Sequence, residues 1–239
     1  MTAELERAAW EALGEVVDPE LDEPITDLGF VRSLRVGPAG SVEVHLRLPT
    51  SFCAPNFAFL MASDAKDVLR ELPQVGEVRV ELDDHHDSEL INRGLAADAG
   101  YRGTFGEEAD EDLEELRETF RRKAHAAAME RALTRLLRAD PDLPEEQLHR
   151  ITVADLPDAA PTRALLRRRA AIGLSTAPAE PVLVDPSGRP CGPDEVPMRL
   201  RMARAVRISI EGNSHFCRGL LRTRYPEPNV DEREQEHAS

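Results

Sequence analysis

Apolar and polar residues in the first hundred positions follow two different periods. Residues 3–14 and 57–72 place apolar side chains three and four positions apart, which predicts two amphipathic helices. Residues 42–48 and 78–82 alternate apolar with polar side chains, as half-buried strands do. Residues 29–36 predict one further strand, which comes first in the chain and ends at a turn. The order predicts a small α-β-β-α-β domain with one mixed sheet, in which the first two strands are antiparallel and the second and third are parallel.

The second half of the chain has a mainly helical pattern. The spacing of its apolar residues predicts helices over residues 107–139 and 161–173, and a short strand over residues 182–184. Residues 198–210 fit a strand through the alternation at their end, whereas their first half fits a helix equally well. The predicted fold class is therefore α+β, a small mixed-sheet domain followed by a mainly helical extension with a few short strands.

Changes in pattern and charge divide the chain into three predicted parts. The limits are residues 1–104 for the α/β domain, 105–226 for the helical and mixed extension, and 227–239 for a disordered tail. The tail is rich in Pro and Glu and shows no periodicity, which is typical of a disordered segment. The extension is a candidate contact region for a client protein or for a second copy of the chain.

Charge and cysteine content limit the functions that the chain can have. The chain has 30 Lys and Arg against 45 Asp and Glu, a net charge of −15, which argues against binding to nucleic acid. No apolar run approaches the roughly 20 residues of a membrane span, and the acidic, amphipathic start is unlike a secretion signal. Three cysteines cannot form a disulfide framework, so we expect a cytoplasmic protein whose thiols are free or bound to metal.

The predicted topology brings three polar segments to one rim of the sheet. Residues 18–20 and Asp27 precede the first strand, residues 50–53 follow the second, and residues 83–86 follow the third. Ligands of open α/β sheets commonly bind at the carboxyl ends of the strands. Cys53 comes immediately before a helix, where the partial positive charge of the helix N-terminus stabilises a thiolate. The alternative is that Cys53 is a small buried residue that fills a loop.

Histidines at this rim offer possible metal ligands. His85 and His86 are adjacent, so on a strand their side chains would point to opposite faces and one of them would face the rim. Imidazole next to carboxylate and thiolate suits iron or zinc, although a solvated polar loop explains the same residues. A second candidate group contains Cys191, His215 and Cys217, whose spacing matches no zinc ribbon or finger.

The same residues resemble a known family. The resemblance rests on four segments in the right order, namely residues 18–21, 24–31, 48–50 ahead of Cys53, and 72–78. They are similar to the SufT/PaaD-like metal–sulfur (iron–sulfur) cluster assembly factors, whose members help to mature iron–sulfur or other iron proteins. Some members are encoded with multicomponent monooxygenases. The resemblance implies the small α/β fold, Cys53 as the reactive cysteine, and Glu20 or Asp27 as the family's acidic residue.

Three functional hypotheses follow from these residues. The first is a maturation factor without catalytic residues, in which Cys53 with Glu20 and His85 or His86 holds iron or an iron–sulfur cluster transiently for a client metalloprotein. That client could be a di-iron monooxygenase component, and a homodimer could share the site. The second is a metal-free scaffold or chaperone for an apo-hydroxylase. The third is a thiol hydrolase or transferase with Cys53 as nucleophile, His85 as base, and Asp83 or Asp87 as orienting group.

Overall fold

A computed structural model describes residues 2–106 and 113–226. The chain forms two compact units. The first contains residues Met1–Asp18, Glu23–Asp110 and Asn213–Ser239, and the second contains Pro19–Asp22 and Glu111–Gly212. The helices are α1 (Thr2–Leu13), α2 (Pro55–Arg70), α3 (Ser88–Ala96), α4 (Gly100–Phe105), α5 (Leu113–Ala139), α6 (Ala160–Ala171) and α7 (Val196–Arg224). The strands are β1 (Val17–Asp18), β2 (Glu23–Pro24), β3 (Val31–Val36), β4 (Val42–Arg47) and β5 (Val78–Asp83).

The main sheet of the first unit has the predicted topology. Its strand order is β3-β4-β5, with β3 antiparallel to β4 and β4 parallel to β5. Val42 of the central strand lies between Val36 and Val78, so the register places apolar residues side by side across the sheet. The α+β class, the hairpin and the parallel pair that the alternation predicted are thereby confirmed.

One face of this sheet is buried under helices. Val42, Val44 and Leu46 of the central strand are at most 2% exposed, while the residues between them are half-buried on the other face. Helix α2 covers the buried face because Phe59, Leu60 and other apolar residues recur along one of its sides. Burial of a large apolar side chain contributes about 1.5–3 kcal/mol, so this layer supplies much of the stability of the first unit.

Several elements of the first unit cannot be predicted from the spacing of apolar residues. They are the two-residue strands β1 and β2, which form an antiparallel pair, and the short helices α3 and α4. A polar anchor holds the end of α3, since the buried Lys66 ammonium donates to the carbonyl of Leu95 and to Asp98 Oδ1, the latter at 2.7 Å. Arg70 adds two hydrogen bonds to the same carboxylate at 2.8 and 2.9 Å. These contacts depend on polar pairs distant in sequence, which no period reveals.

The second unit packs α5, α6 and the first part of α7 around its own apolar core. Buried members of that core include Met129, Leu133, Leu165 and Val196. Residues 182–184 are buried in this core, but they do not form the regular strand that the sequence predicted. Two isolated bridges, Thr152 with Pro181 and Val184 with Pro190, take the place of a ladder. Prolines cannot donate to a sheet ladder, and this limits the pairing of the segment.

The strand alternative for residues 198–210 is wrong, because the segment lies inside helix α7. Its buried residues Val196, Leu200 and Ala203 are four and three positions apart, which is the helical period. The apparent alternation at the end does not correspond to one buried face, since Ile208 is 56% exposed whereas Ile210 is 7% exposed. The helical spacing of the preceding buried residues, together with helix propensity, therefore determines the structure of this segment, and the alternation of three apolar residues at its end does not.

The predicted domain limits stay predictions. The compact units separate after Asp110, and the chain from Asn213 onward is grouped with the first unit, so α7 contributes residues to both. The first residues of the predicted helix 107–139 and the predicted disordered tail 227–239 lie outside the described residues. Within residues 2–106 and 113–226, no helix is both long enough and apolar enough to cross a membrane.

Candidate functional site

Cys53 lies in the loop between β4 and α2, where the sequence placed it. The side chain is half-buried, and its sulfur is 3.5 Å from Thr50 Oγ1. The same hydroxyl accepts a hydrogen bond from the backbone N–H of Phe52 at 3.2 Å. Helix α2 begins at Pro55, so Cys53 is two residues before its first turn. The loop thus holds the thiol in a defined position at the carboxyl end of the central strand.

His85 fixes the backbone of Cys53 rather than its thiol. The imidazole is 6% exposed, and Nε2 is 2.8 Å from the carbonyl oxygen of Cys53. Nδ1 accepts the backbone N–H of Asp87 at 3.1 Å, so the ring proton belongs on Nε2, which donates to the carbonyl. Both ring nitrogens are engaged with the backbone, and His85 joins the loop after β5 to the loop after β4.

An exposed aromatic ring and an exposed imidazole contact each other on the two loops that hold Cys53 and His85. Phe52 is 80% exposed, and its ring centroid lies 5.8 Å from that of His86. The backbone N–H of His86 donates to the carbonyl of Ser51 at 2.9 Å, a second link between the two loops. Of the two predicted histidines, His86 is thus the one at the surface, and His85 is the one inside.

The acidic residues predicted for the site occupy turns. Glu20 is half-buried in the turn between β1 and β2, and Asp27 is exposed in the turn ahead of β3. In residues 2–106 and 113–226, no group of three or more His, Cys, Asp and Glu is arranged to hold a metal ion. The structure therefore brings Cys53, His85 and His86 into two touching loops, but it does not assemble the predicted ligands into a closed metal site.

The groups of the thiol hydrolase hypothesis are not arranged as a triad. His85 contacts the carbonyl of Cys53, and its other nitrogen contacts the backbone of Asp87. The carboxylate of Asp83 is bound instead by His45 Nδ1 at 2.9 Å and by Arg32 at 2.8 Å, on the polar face of the sheet. A base that bonds neither the nucleophile nor an orienting carboxylate lacks the geometry of acyl transfer.

The second candidate group is divided between the two units. Cys191 is buried in the core of the second unit, and this burial raises the pKa of its thiol. His215 and Cys217 belong to the first unit, and as residues two positions apart on α7 they point in different directions. No metal group is found among these residues or elsewhere in the described chain.

One residue at the Cys53 loop was not anticipated from the sequence. Arg224, at the end of α7, donates to the carbonyl of Leu48 at 3.1 Å, to Ser51 Oγ at 2.7 Å and to the carbonyl of Asp84. The seven arginines between residues 199 and 224 were a visible charge pattern, but nothing in that pattern singles out one residue as a contact of a distant loop.

Comparison with known proteins identifies the N-terminal segment. Residues 6–82 match the family model described as "Iron-sulfur cluster assembly protein". The resemblance stated from the sequence is thus confirmed, since this part of the chain is similar to the iron–sulfur cluster assembly family. The matched segment contains Cys53, Glu20 and Asp27, and it ends at β5, before His85 and His86.

Curated relatives also match part of the chain. Proteins named "Iron-sulfur cluster carrier protein" from Mycobacterium bovis and Mycobacterium tuberculosis are 39% identical over 80 residues, which is 34% of this chain and 20% of each relative. The Mycobacterium leprae protein of the same name is 32% identical over 99 residues, 41% of this chain and 25% of the relative. The chain thus spans a quarter or less of the length of these relatives.

A solved structure also resembles this chain. It is described as a domain of unknown function, DUF59, from Bacillus anthracis. It is 25% identical, covers 42% of this chain and 96% of its own length, and superposes with a TM-score of 0.32.

Proposed function

We propose that this chain is an iron–sulfur cluster assembly factor that accepts a cluster, or iron, at Cys53 and passes it to a client metalloprotein. The observation that carries the proposal is the position of Cys53 inside the segment 6–82 that matches the assembly family. Its loop is fixed through its backbone by His85, while the half-buried thiol lies next to the exposed Phe52. A thiolate is the form of cysteine that binds iron.

The ligand count supports transient rather than permanent binding. Stable clusters commonly take four cysteine thiolates, and the chain has three cysteines, of which Cys191 is buried in the other unit. Since no group of three metal ligands occurs in the described residues, we infer that a second copy or the client completes the coordination. The exposed His86 and the carboxylates of Glu20 and Asp27 are the candidate accessory ligands. The cluster is then cargo, and the protein a carrier rather than an enzyme.

The client is proposed from the family resemblance. An iron–sulfur protein is the broader class, and a di-iron monooxygenase component is the specific one that the resemblance suggests. The three relatives described above carry the name of cluster carriers, and this supports delivery of a cluster to a client, which we propose to take place in the cytoplasm. We assign recognition of that client to the surface around Cys53, because a carrier must bring its thiol within bonding distance of the acceptor.

The test compares thiol variants of the full chain. The protein is purified anaerobically from iron-replete cells, and iron, zinc and acid-labile sulfide are measured per chain together with the absorption spectrum. Cys53→Ser removes the proposed ligand, and Cys217→Ser is the matched control because that thiol is also half-buried. Iron with sulfide in the wild type and in Cys217→Ser, but not in Cys53→Ser, is the expected result. Equal loading of all three proteins after reconstitution would contradict the role of Cys53.

A metal-free scaffold is the second candidate, and one observation favours it. No assembled ligand group occurs among the described residues. A scaffold that only binds an apo-client needs no metal ligands, so it would not need Cys53 as a ligand. The two candidates differ in a maturation assay, in which an apo-client is activated with iron and sulfide in the presence of the chain. A Cys53→Ser protein that binds the client and activates it as well as the wild type would support the scaffold.

A further inference from the structure

We propose that Arg224, near the C-terminal end of α7, is a positioning residue that holds the two loops around Cys53 in the arrangement that presents the thiol to its cargo. This inference rests on the proposed function of Cys53. Arg224 lies outside the segment 6–82 that matches the assembly family. The C-terminal part of the chain would then be a part of the site and not merely an addition to it.

The last turns of α7 belong to the first unit and present one continuous face to it. Ser214 and Arg218 both bond the carboxylate of Glu23, and Arg218 donates to the carbonyl of Asp27 at 2.6 Å. Leu221, further along, is 6% exposed. These residues and Arg224 follow one another at spacings of three and four, which is the period of one helix face.

The close packing of this face is visible at Gly29. A Cβ atom at that glycine would meet Leu221 Cδ2 at 3.3 Å, a distance that few real Cβ contacts reach. Gly29 also has φ of +77°, a conformation that other residues adopt with strain. The glycine ahead of β3 therefore serves two needs, the turn and the approach of the helix. The end of α7 is docked by apolar as well as polar contacts.

Arg224 uses its fork to join three backbone and side-chain acceptors. They lie on two different loops: Leu48 and Ser51 belong to the loop that carries Cys53, and Asp84 belongs to the loop that carries His85. The planar guanidinium has five donors in fixed directions, so a single side chain can fix both loops at once. Lys in its place would keep the charge but lose this geometry.

Tyr225 strengthens the same clasp from the next position. Its hydroxyl donates to Asp84 Oδ2 at 3.0 Å, and its ring lies below the guanidinium of Arg47, 5.0 Å from the centroid. Asp84 has φ of +53°, so the turn after β5 is in a conformation that its surroundings must hold. Two neighbouring residues of the C-terminal segment therefore restrain the turn that leads into His85.

His85 and the backbone of His86 then transmit this restraint to the thiol. His85 bonds the carbonyl of Cys53, and the N–H of His86 bonds the carbonyl of Ser51. Without the guanidinium of Arg224, these two bonds would lose the additional hydrogen bonds that hold the two loops together. We expect the loops to separate more often, which exposes Cys53 to reagents and weakens its grip on cargo.

The test uses the full chain and three variants. Arg224→Met removes the fork, Arg224→Lys keeps its charge, and Arg222→Met is the matched control because Arg222 is exposed on the same turn. The rate of Cys53 carboxamidomethylation by iodoacetamide is followed by peptide-resolved mass spectrometry, with hydrogen exchange of residues 48–53 and 84–88. We expect Arg224→Met to raise both rates about tenfold, the effect of losing one charge-assisted hydrogen bond, with Arg224→Lys in between and Arg222→Met unchanged.

A cluster measurement separates positioning from a general loss of stability. After anaerobic reconstitution, the half-life of sulfide-bound iron should fall several-fold in Arg224→Met while the urea midpoint changes little. Alkylation and exchange rates equal to those of the wild type would overturn the inference, whatever Cys53 binds. Retention of the cluster by Cys53→Ser would instead overturn the proposed function. If Arg224→Met does not fold, Tyr225→Phe tests the same clasp, with an expected increase in both rates of about threefold that is contradicted by unchanged rates.

Discussion

His125 should make the second unit sensitive to acid. It lies on α5 with 3% of its surface exposed, and its Nε2 has no hydrogen-bond partner. Burial, assisted by the nearby charges of Arg169, Arg199 and Arg122, lowers the pKa of His125 from 6.5 to about 4. The folded protein thus keeps the ring neutral at pH values where the unfolded chain binds a proton.

The sign and size of the effect follow from this difference. Between pH 6.5 and about 4 the unfolded state of His125 binds more protons than the folded state, so the free energy of unfolding falls as the pH falls. Each pH unit in this interval is worth up to about 1.36 kcal/mol, which gives a loss of about 3 kcal/mol near pH 4. Above pH 6.5 the histidine is neutral in both states and contributes no pH dependence.

Substitution tests this reasoning. His125→Leu removes the titration and the unpaired nitrogen, and it places an apolar side chain of similar size at the buried position. Urea unfolding followed by circular dichroism at intervals between pH 7 and 4 gives the difference in stability from the wild type. We expect His125→Leu to gain about 3 kcal/mol on the wild type over this range.

Two results would refute the argument. One is a parallel fall of stability in the wild type and in His125→Leu between pH 6.5 and 4. The other is direct titration of the His125 ring near pH 6.5 in a proton NMR spectrum, which would place the ring in water or beside an acid. Comparison with the variant cancels the titration of the many carboxylates, which both proteins share.

The other predictions concern polar groups in or near the cores. Glu130 is 1% exposed and is bonded to two arginines. Its replacement by Ala should lower the free energy of unfolding, measured in urea, by about 3–5 kcal/mol, and replacement by Gln should lower it clearly less. Lys66→Met should leave Asp98 and the end of α3 less protected, so hydrogen exchange near Asp98 should rise while that of β4 does not change. Hydrogen bonds to Asp83 and Glu43 raise the pKa of His45. The stability that its protonated ring contributes is therefore complete below pH 6.5 and is lost as the pH rises through the folded pKa. His45→Gln should remove this pH dependence from urea unfolding, and NMR titration of the ring in the wild type should show the raised pKa.

Elements with a strong period could be predicted from the sequence. The sheet of β3, β4 and β5 and the helix α2 follow from the positions of apolar residues, because a half-buried element must repeat its buried side at a fixed interval. The alternation near Ile210 was misleading because three positions are too few to distinguish one period from another. Helices α3 and α4 escaped because their ends depend on polar contacts such as that of Lys66 with Asp98.

The candidate site divides in the same way. The positions of Cys53, His85 and His86 follow from topology, since each comes at the carboxyl end of a strand in one parallel pair. Topology does not state where a side chain points, and this is why His85 could be predicted as a metal ligand although both its nitrogens contact backbone. An imidazole between two loops can serve as a ligand or as a link, and only the neighbouring acceptors distinguish the two.

Arg224 marks the limit of inference from local sequence. It contacts Ser51 and Asp84 from 173 and 140 positions away, and it comes from a run of arginines of which several have different contacts. Within α7, Arg204 and Arg207 bond Glu130 in the second unit, whereas Arg218 bonds Glu23 in the first. A common charge pattern thus serves three separate tasks. The arginine that matters for Cys53 can be recognised only by the acceptors around it, so the C-terminal segment must be tested as part of the site.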